Sequence, residues 1–149
     1  MPNHKKINIT WKKLECECDD ICYSITNSFN KIDFNCIVAV GLGGMIPARI
    51  IAEKLNIDLV HMLNIKNGKI EEFNKNIRDL NVLVVDDYCV SGKTINSTMV
   101  SLFRYQPKIC KICCLYCNKH LTIKPTYVAK EYDANSTYLK FPWEKTPNE

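Results

Sequence analysis

The sequence predicts an α/β domain, a central parallel sheet with helices on both faces and a small irregular segment at its C-terminal end. Three observations predict it. Short apolar runs alternate with segments of helical periodicity, the pattern of strand–helix–strand units. The runs are apolar throughout, as strands buried on both faces are. Two of them end in loops of unusual chemistry, Gly41–Gly44 and Asp86–Thr94. Ligands of such sheets bind outside the carboxyl ends of the strands, where these loops fall. The 149 residues suit one domain, 1–149, and 46% apolar with 24% charged residues excludes a disordered, collagen-like or coiled-coil chain. The purely apolar runs, such as Ile37–Val40, are far too short to span a membrane.

Thr10 is an N-cap candidate. After it Trp11, Leu14, Cys18, Ile21, Ile25 and Phe29 recur every three or four residues and predict an amphipathic helix over 11–29. Residues 36–40 read as a buried strand, and Gly41-Leu42-Gly43-Gly44 as a sharp loop. Pro47 suits the first turn of a helix running to Leu55. Residues 57–65 read as a second strand. The polar stretch 66–79 lacks periodicity, contains Asn67-Gly68, and is long enough to be a flexible, functional loop. A third strand covers 81–85, a loop 88–93, and a helix 94–105 with Ile95, Thr98, Met99, Leu102 and Phe103 inward. Pro107 stops that helix. A fourth strand spans 109–116, and short strands fall near 127–130 and 138–141.

The net charge of +4 comes from 17 Lys and 3 Arg scattered along the chain. Nucleic-acid binders cluster basic residues and read base edges with Arg, so a solvated surface is the better reading and nucleic acid is not expected as a partner. The N-terminus shows no apolar leader, so a cytoplasmic address is expected. In that compartment the nine cysteines are not expected to form a disulfide framework. Cys110, Cys113, Cys114 and Cys117 contain two C-x-x-C spacings, which can be zinc half-sites. Strand alternation sends Cys113 and Cys117 to one face and Cys110 and Cys114 to the other, which favours reduced core thiols and leaves metal as the alternative.

The strongest chemical signal is Val82–Thr94. Two adjacent carboxylates, Asp86 and Asp87, end an apolar strand, and Ser91-Gly92-Lys93-Thr94 opens a helix. A helix start offers free N–H groups and the positive dipole end, Gly92 permits close approach, and Ser91 and Thr94 add hydroxyls, a set that suits a phosphate monoester. The carboxylates suit ribose hydroxyls or a hydrated divalent cation. The segment is not a Walker A loop, which needs Gly at position 87, where Asp stands.

On these residues the chain resembles the type I phosphoribosyltransferases. Val82–Thr94 is similar to their phosphoribosyl-pyrophosphate signature, and Val40–Gly44 with Pro47 to their pyrophosphate loop. Tyr138-Leu139-Lys140-Phe141-Pro142-Trp143-Glu144, after Lys124-Pro125-Thr126-Tyr127, resembles the tail of the small xanthine/guanine/hypoxanthine branch. The resemblance implies a Mg²⁺-dependent transfer of a 5-phosphoribosyl group from phosphoribosyl pyrophosphate to a nitrogen base of purine type, in nucleotide salvage, by a homodimer or homotetramer. Ser91, Gly92, Lys93 and Thr94 hold the 5-phosphate in that scheme. Asp86 and Asp87 hold the ribose hydroxyls and the metal, directly or through water. Leu42, Gly43 and Gly44 present amides to the pyrophosphate, 66–79 forms a lid, and 118–144 the base-binding tail. Tyr138 stacks on the base and the Leu139 backbone reads its edge.

Three positions depart from that pattern. Leu42 stands where the pyrophosphate loop carries Arg or Lys. Val90 stands where oxopurine enzymes keep an Asp as proton acceptor. Asn118, with Lys119 beside it, stands where a Lys recognises the 6-oxo group. The alternative these changes favour is a non-catalytic regulatory protein on the same fold that binds phosphoribosyl pyrophosphate or a nucleotide.

Overall fold

The computed structural model describes residues 3–145, so the first two and last four residues of the predicted 1–149 domain lie outside the described residues. In chain order the elements are β1 (Lys5–Asn8), α1 (Trp11–Thr26), β2 (Cys36–Val40), α2 (Gly41–Leu55), β3 (Val60–Leu63), β4 (Ile65–Lys66), β5 (Lys69–Ile70), β6 (Asn81–Cys89), α3 (Lys93–Phe103), β7 (Ile109–Asn118), β8 (Tyr127–Tyr132) and β9 (Thr137–Lys140).

Five strands form a parallel sheet in the order β3-β2-β6-β7-β8. α1 and α2 cover one face, where Leu14, Ile21 and Ile51 meet Ile37, Leu83 and Leu115. α3 covers the other, where Leu102 meets Val38, Val84 and Ile112. Both faces of β2, β6 and β7 are therefore dry, which explains their unbroken apolar composition. The predicted parallel sheet with helices on both faces is the observed one.

The differences have physical causes. α1 starts at its expected cap, where the Thr10 side chain accepts from the Lys13 N–H at 3.1 Å, but it ends at Thr26. Phe29 lies beyond it, fully exposed, and Trp11 is half-exposed beside Trp143. The expected glycine loop is the first turn of α2. Gly41 takes a left-handed φ of 60°, and the helix then runs through Pro47 in its interior. β3 is shorter than the expected 57–65. The stretch 66–79 is not structureless: β4 and β5 pair as a hairpin through Asn67-Gly68, both at positive φ, as a two-residue type I′ turn requires. Phe73 and Ile77 then anchor the segment in the core.

β6 extends four residues past its expected end and carries both acids within the strand. Phe103 is exposed, not inward. β1 had no counterpart in the sequence reading, because its sheet partner among the described residues is β9, at the far end of the chain.

The faces of β7 also differ from simple alternation. Cys113 and Leu115 face α1, and Cys110, Ile112 and Cys114 face the opposite side, but Cys117 joins Cys114 rather than Cys113. β6 makes the same switch, with Leu83 and Val85 on one face and Cys89 on the other. The register is unchanged across the switch, Val85 opposite Cys113 and Cys89 opposite Cys117, so both strands turn over together.

Candidate active site

Sheet order reverses at β2. The chain leaves β2 for β3 on one side and returns with β6 on the other. The carboxyl ends of β2 and β6 part there, and a cavity of about 330 Å³ opens between them, as expected at a topological switch point. Gly43, Asp86, Asp87, Ser91, Gly92 and Thr94 line it. Two helix starts meet at this place. The first N–H groups of a helix have no intrahelical acceptor. Those of Leu42, Gly43 and Gly44 in α2 and of Lys93 and Thr94 in α3 are therefore the donors, with the positive dipole ends behind them.

The close packing explains the glycines. A Cβ on Gly43 would collide with the Asp87 carboxylate, and one on Gly44 would lie 2.5 Å from the Val85 carbonyl oxygen. Gly92 caps α3 at φ 75°, left-handed geometry that side chains resist.

The two acids are ordered by their own strand. Asp86 Oδ1 accepts from the Asp87 N–H at 2.9 Å, and Asp87 Oδ1 from the Tyr88 N–H at 2.8 Å. Loss of water raises the Asp86 pKa well above the usual range, and the neighbouring Asp87 adds to it. Burial also raises Asp87. Two desolvated carboxyls that resist charging together are a favourable place for a cation. They and the oxygens of a phosphorylated ligand make an all-oxygen set, which fits Mg²⁺. Among the described residues no group of three or more His, Cys, Asp or Glu side chains comes together as a metal cage.

The predicted phosphate loop is at the cavity, with the side chains of Ser91, Lys93 and Thr94 exposed. The Lys93 N–H leans on Ser91 Oγ at 3.5 Å. The base-side residues lie apart from this cavity. Asn118 is buried, and its amide is already used: it donates to the Val90 carbonyl at 3.0 Å and accepts from the His120 and Ala134 N–H groups at 3.3 and 3.4 Å. Lys119 pairs with Asp133 at 3.1 Å. Tyr138 is half-exposed, its hydroxyl 3.5 Å from Glu144. The Leu139 side chain is in the core. The Lys5 and Ile9 N–H groups bond to the Ser136 and Lys140 carbonyls, so alternation turns the Leu139 backbone groups to the strand's other edge.

Two residues at the cavity were not singled out from sequence. Tyr88 follows the acids and stacks on Phe141, ring centroids 5.6 Å apart, joining the Asp86–Thr94 segment to the C-terminal segment. An aromatic directly after the paired acids was the available signal. Cys89 also lines the cavity. Hydrogen bonding from the Cys114 thiol, with the Gly92 N–H and Cys117 adding to it, lowers its pKa to about 7.

The phosphoribosyl transferase domain model matches residues 9–147. A xanthine-guanine phosphoribosyltransferase of Chromohalobacter salexigens is 34% identical over 64 residues, 43% of this chain and 37% of that protein. The transcriptional regulator GfcR of Methanococcoides burtonii is 26% identical over 118 residues, 68% of this chain and 58% of that protein. The matched stretches thus span less than two thirds of either relative. A purine phosphoribosyltransferase of Pyrococcus horikoshii has the same fold, with a TM-score of 0.84 at 23% identity over 96% of each chain. With the family model matched over nearly its whole length and the site built at the switch point of the same sheet, the chain belongs to the phosphoribosyl transferase domain family, type I in fold.

Proposed function

We propose that this protein transfers the 5-phosphoribosyl group of phosphoribosyl pyrophosphate to a purine-type base and releases pyrophosphate, a step of nucleotide salvage. The observation that carries the reading is the convergence of Asp86, Asp87 and two helix starts on one cavity. The α3 start, with Ser91, Gly92, Lys93 and Thr94, holds the 5-phosphate by N–H groups, hydroxyls and one cation. The α2 start, with Leu42, Gly43 and Gly44, holds the pyrophosphate by backbone alone, since Leu42 supplies no charge. Asp86 and Asp87 orient the ribose hydroxyls between them and would hold Mg²⁺, directly or through water. When bound, that ion neutralises charge on the leaving pyrophosphate. The base nitrogen forms its bond to C1 as the C1–oxygen bond to pyrophosphate breaks.

The hairpin at Asn67-Gly68 is the part of 66–79 free to cover the cavity, because Phe73 and Ile77 pin the rest. Tyr138 offers the base a π face. The partners we propose are these small molecules and further copies of the chain, as a homodimer or homotetramer, in the cytoplasm. Among the described residues no helix is long and apolar enough to cross a membrane. Calorimetry tests the site. Asp87→Asn and Thr94→Ala should each weaken phosphoribosyl pyrophosphate binding by about 1–3 kcal/mol, the scale of a lost charge-assisted or buried hydrogen bond. Unchanged affinity in both variants contradicts the placement.

A second reading is favoured by Val90 and Leu42, which remove a proton acceptor and a charge while the phosphate loop stays whole. It is a regulatory protein that binds phosphoribosyl pyrophosphate or a nucleotide without turnover. Pyrophosphate release separates the two.

A further inference from the structure

Cys89 and Cys117 stand opposite each other on neighbouring parallel strands, as register partners of β6 and β7. The shared switch of faces in these strands brings both side chains into the same buried cluster. Neighbouring strands run about 4.8 Å apart, inside the Cα separations of about 4.4–6.8 Å that disulfides use. Cys114 belongs to the same cluster, but its register partner is Asp86, three residues from Cys89. It touches the pair without lying opposite it, and a bridge to it would require the strands to slide. Cys89 is the member that opens onto the cavity, while Cys117 is fully enclosed. Gly92, the N-cap of α3, lines the same cavity three residues further on. A change at this thiol therefore reaches the loop that the preceding reading assigns to the 5-phosphate.

We propose that Cys89 and Cys117 form a reversible disulfide when hydrogen peroxide enters the cavity, and that the bridge weakens phosphate binding at the start of α3. The chemistry balances on the two thiols and one peroxide. The Cys89 sulfur attacks one peroxide oxygen, the O–O bond breaks, and the thiol proton leaves with the departing oxygen as water. Cys89 is then a sulfenic acid. The Cys117 sulfur attacks the Cys89 sulfur, the S–O bond breaks, and the second water leaves with the Cys117 proton. Two electrons and two protons pass from the thiols to the peroxide. In the bridge the Cys89 sulfur turns toward β7 and away from the cavity wall it shares with Gly92. A dithiol reverses the step by exchange.

The bridge itself does not depend on the transferase reading, whereas its effect on phosphate binding does. The experiment keeps the two apart. The reduced full-length protein is treated with hydrogen peroxide, residual thiols are alkylated, and linked peptides are mapped by mass spectrometry. The expected result is a Cys89–Cys117 link in the wild type and in Cys114→Ser, absent in Cys117→Ser and reversed by dithiothreitol. Exposed Cys16 is the comparator. Oxidation of Cys16 with Cys89 and Cys117 left free overturns the proposal, as does a link from Cys89 to Cys114. Calorimetry with ribose 5-phosphate should show binding about 2- to 10-fold weaker in the bridged protein, the effect of losing about one hydrogen bond, and restored on reduction. A bridged protein that binds as well as the reduced one overturns the coupling to the loop. Failure of the reduced protein to bind ribose 5-phosphate would count against the site reading instead, with the mapped link unaffected.

Discussion

The Asn118 side-chain amide, at the end of β7, donates a 3.0 Å hydrogen bond to the Val90 carbonyl, in the loop after β6. One buried side chain thus ties the loop after β6 to the turn at His120 and the segment at Ala134. A residue so committed has little left to offer a base. Asn118→Ala is expected to weaken ribose 5-phosphate binding by about 1 kcal/mol, the worth of one ordinary hydrogen bond, and to leave nucleobase affinity unchanged. Titration of the variant with each ligand separately checks this. A selective loss for the base would return Asn118 to the base-reading role the sequence resemblance implied.

The glycines of α2 make a different prediction for each position. Gly44→Ala forces a Cβ against the Val85 backbone carbonyl, which cannot swing away. Overpacking of this kind costs about 1–3 kcal/mol, to be read as a lower midpoint in urea unfolding. Gly43→Ala meets the Asp87 carboxylate instead. It should cost ligand affinity more than stability, because the displaced group belongs to the site.

Glu17 gives the fold a pH dependence. It is buried in α1, Tyr116 Oη donates to its Oε1, and Oε2 has no partner among the described residues. Burial is the main cause of its raised pKa, against the lowering effects of Tyr116, Lys13 and Lys130. The folded chain therefore holds this proton more tightly than the unfolded chain. The stabilising contribution is full below the ordinary carboxylate value and is lost as pH rises through the raised one. Glu17→Gln should remove that part of the slope, so its melting temperature gains on the wild type more at pH 8 than at pH 4. Parallel thermal melts of the two proteins against pH would show it. A constant difference between them contradicts the assignment.

What could be read from the sequence follows the range of the forces involved. β2, β6 and β7 were legible because strands buried on both faces are apolar throughout, and the placing of the acids and the α3 start side by side was legible because they lie in one short local segment. The first turn of α2 was read as a loop, because Gly41, Gly43 and Gly44 are poor helix formers. Gly43 and Gly44 lie close against Asp87 and Val85, some forty residues on, a proximity no local pattern encodes. β1 was missed because its partner β9 lies at the other end of the chain. The committed hydrogen bonds of Asn118 and the joint face switch of β6 and β7 depend on neighbouring strands, which no single segment encodes.

The base half makes the boldest substitution. Val90 is half-exposed at the cavity, its carbonyl fixed by Asn118 and its side chain free. A general base is worth about 10²–10⁴-fold in rate. Val90→Asp is therefore expected to raise turnover of guanine, xanthine or hypoxanthine, and Tyr138→Ala to weaken nucleobase binding more than phosphoribosyl pyrophosphate binding. Steady-state rates for the first and paired titrations for the second are the measurements. Equal losses for both ligands in Tyr138→Ala would place the base elsewhere.

The central claim is group transfer at the cavity between β2 and β6, and pyrophosphate release tests it most directly. The purified protein is incubated with phosphoribosyl pyrophosphate and Mg²⁺ against a panel of purines, with an Asp86→Asn/Asp87→Asn double variant beside it. The expected result is pyrophosphate release that needs a purine, is slow on 6-oxopurines because of Val90, and falls to background in the double variant. Tight phosphoribosyl pyrophosphate binding without release on any base, or release unchanged in the double variant, would contradict it.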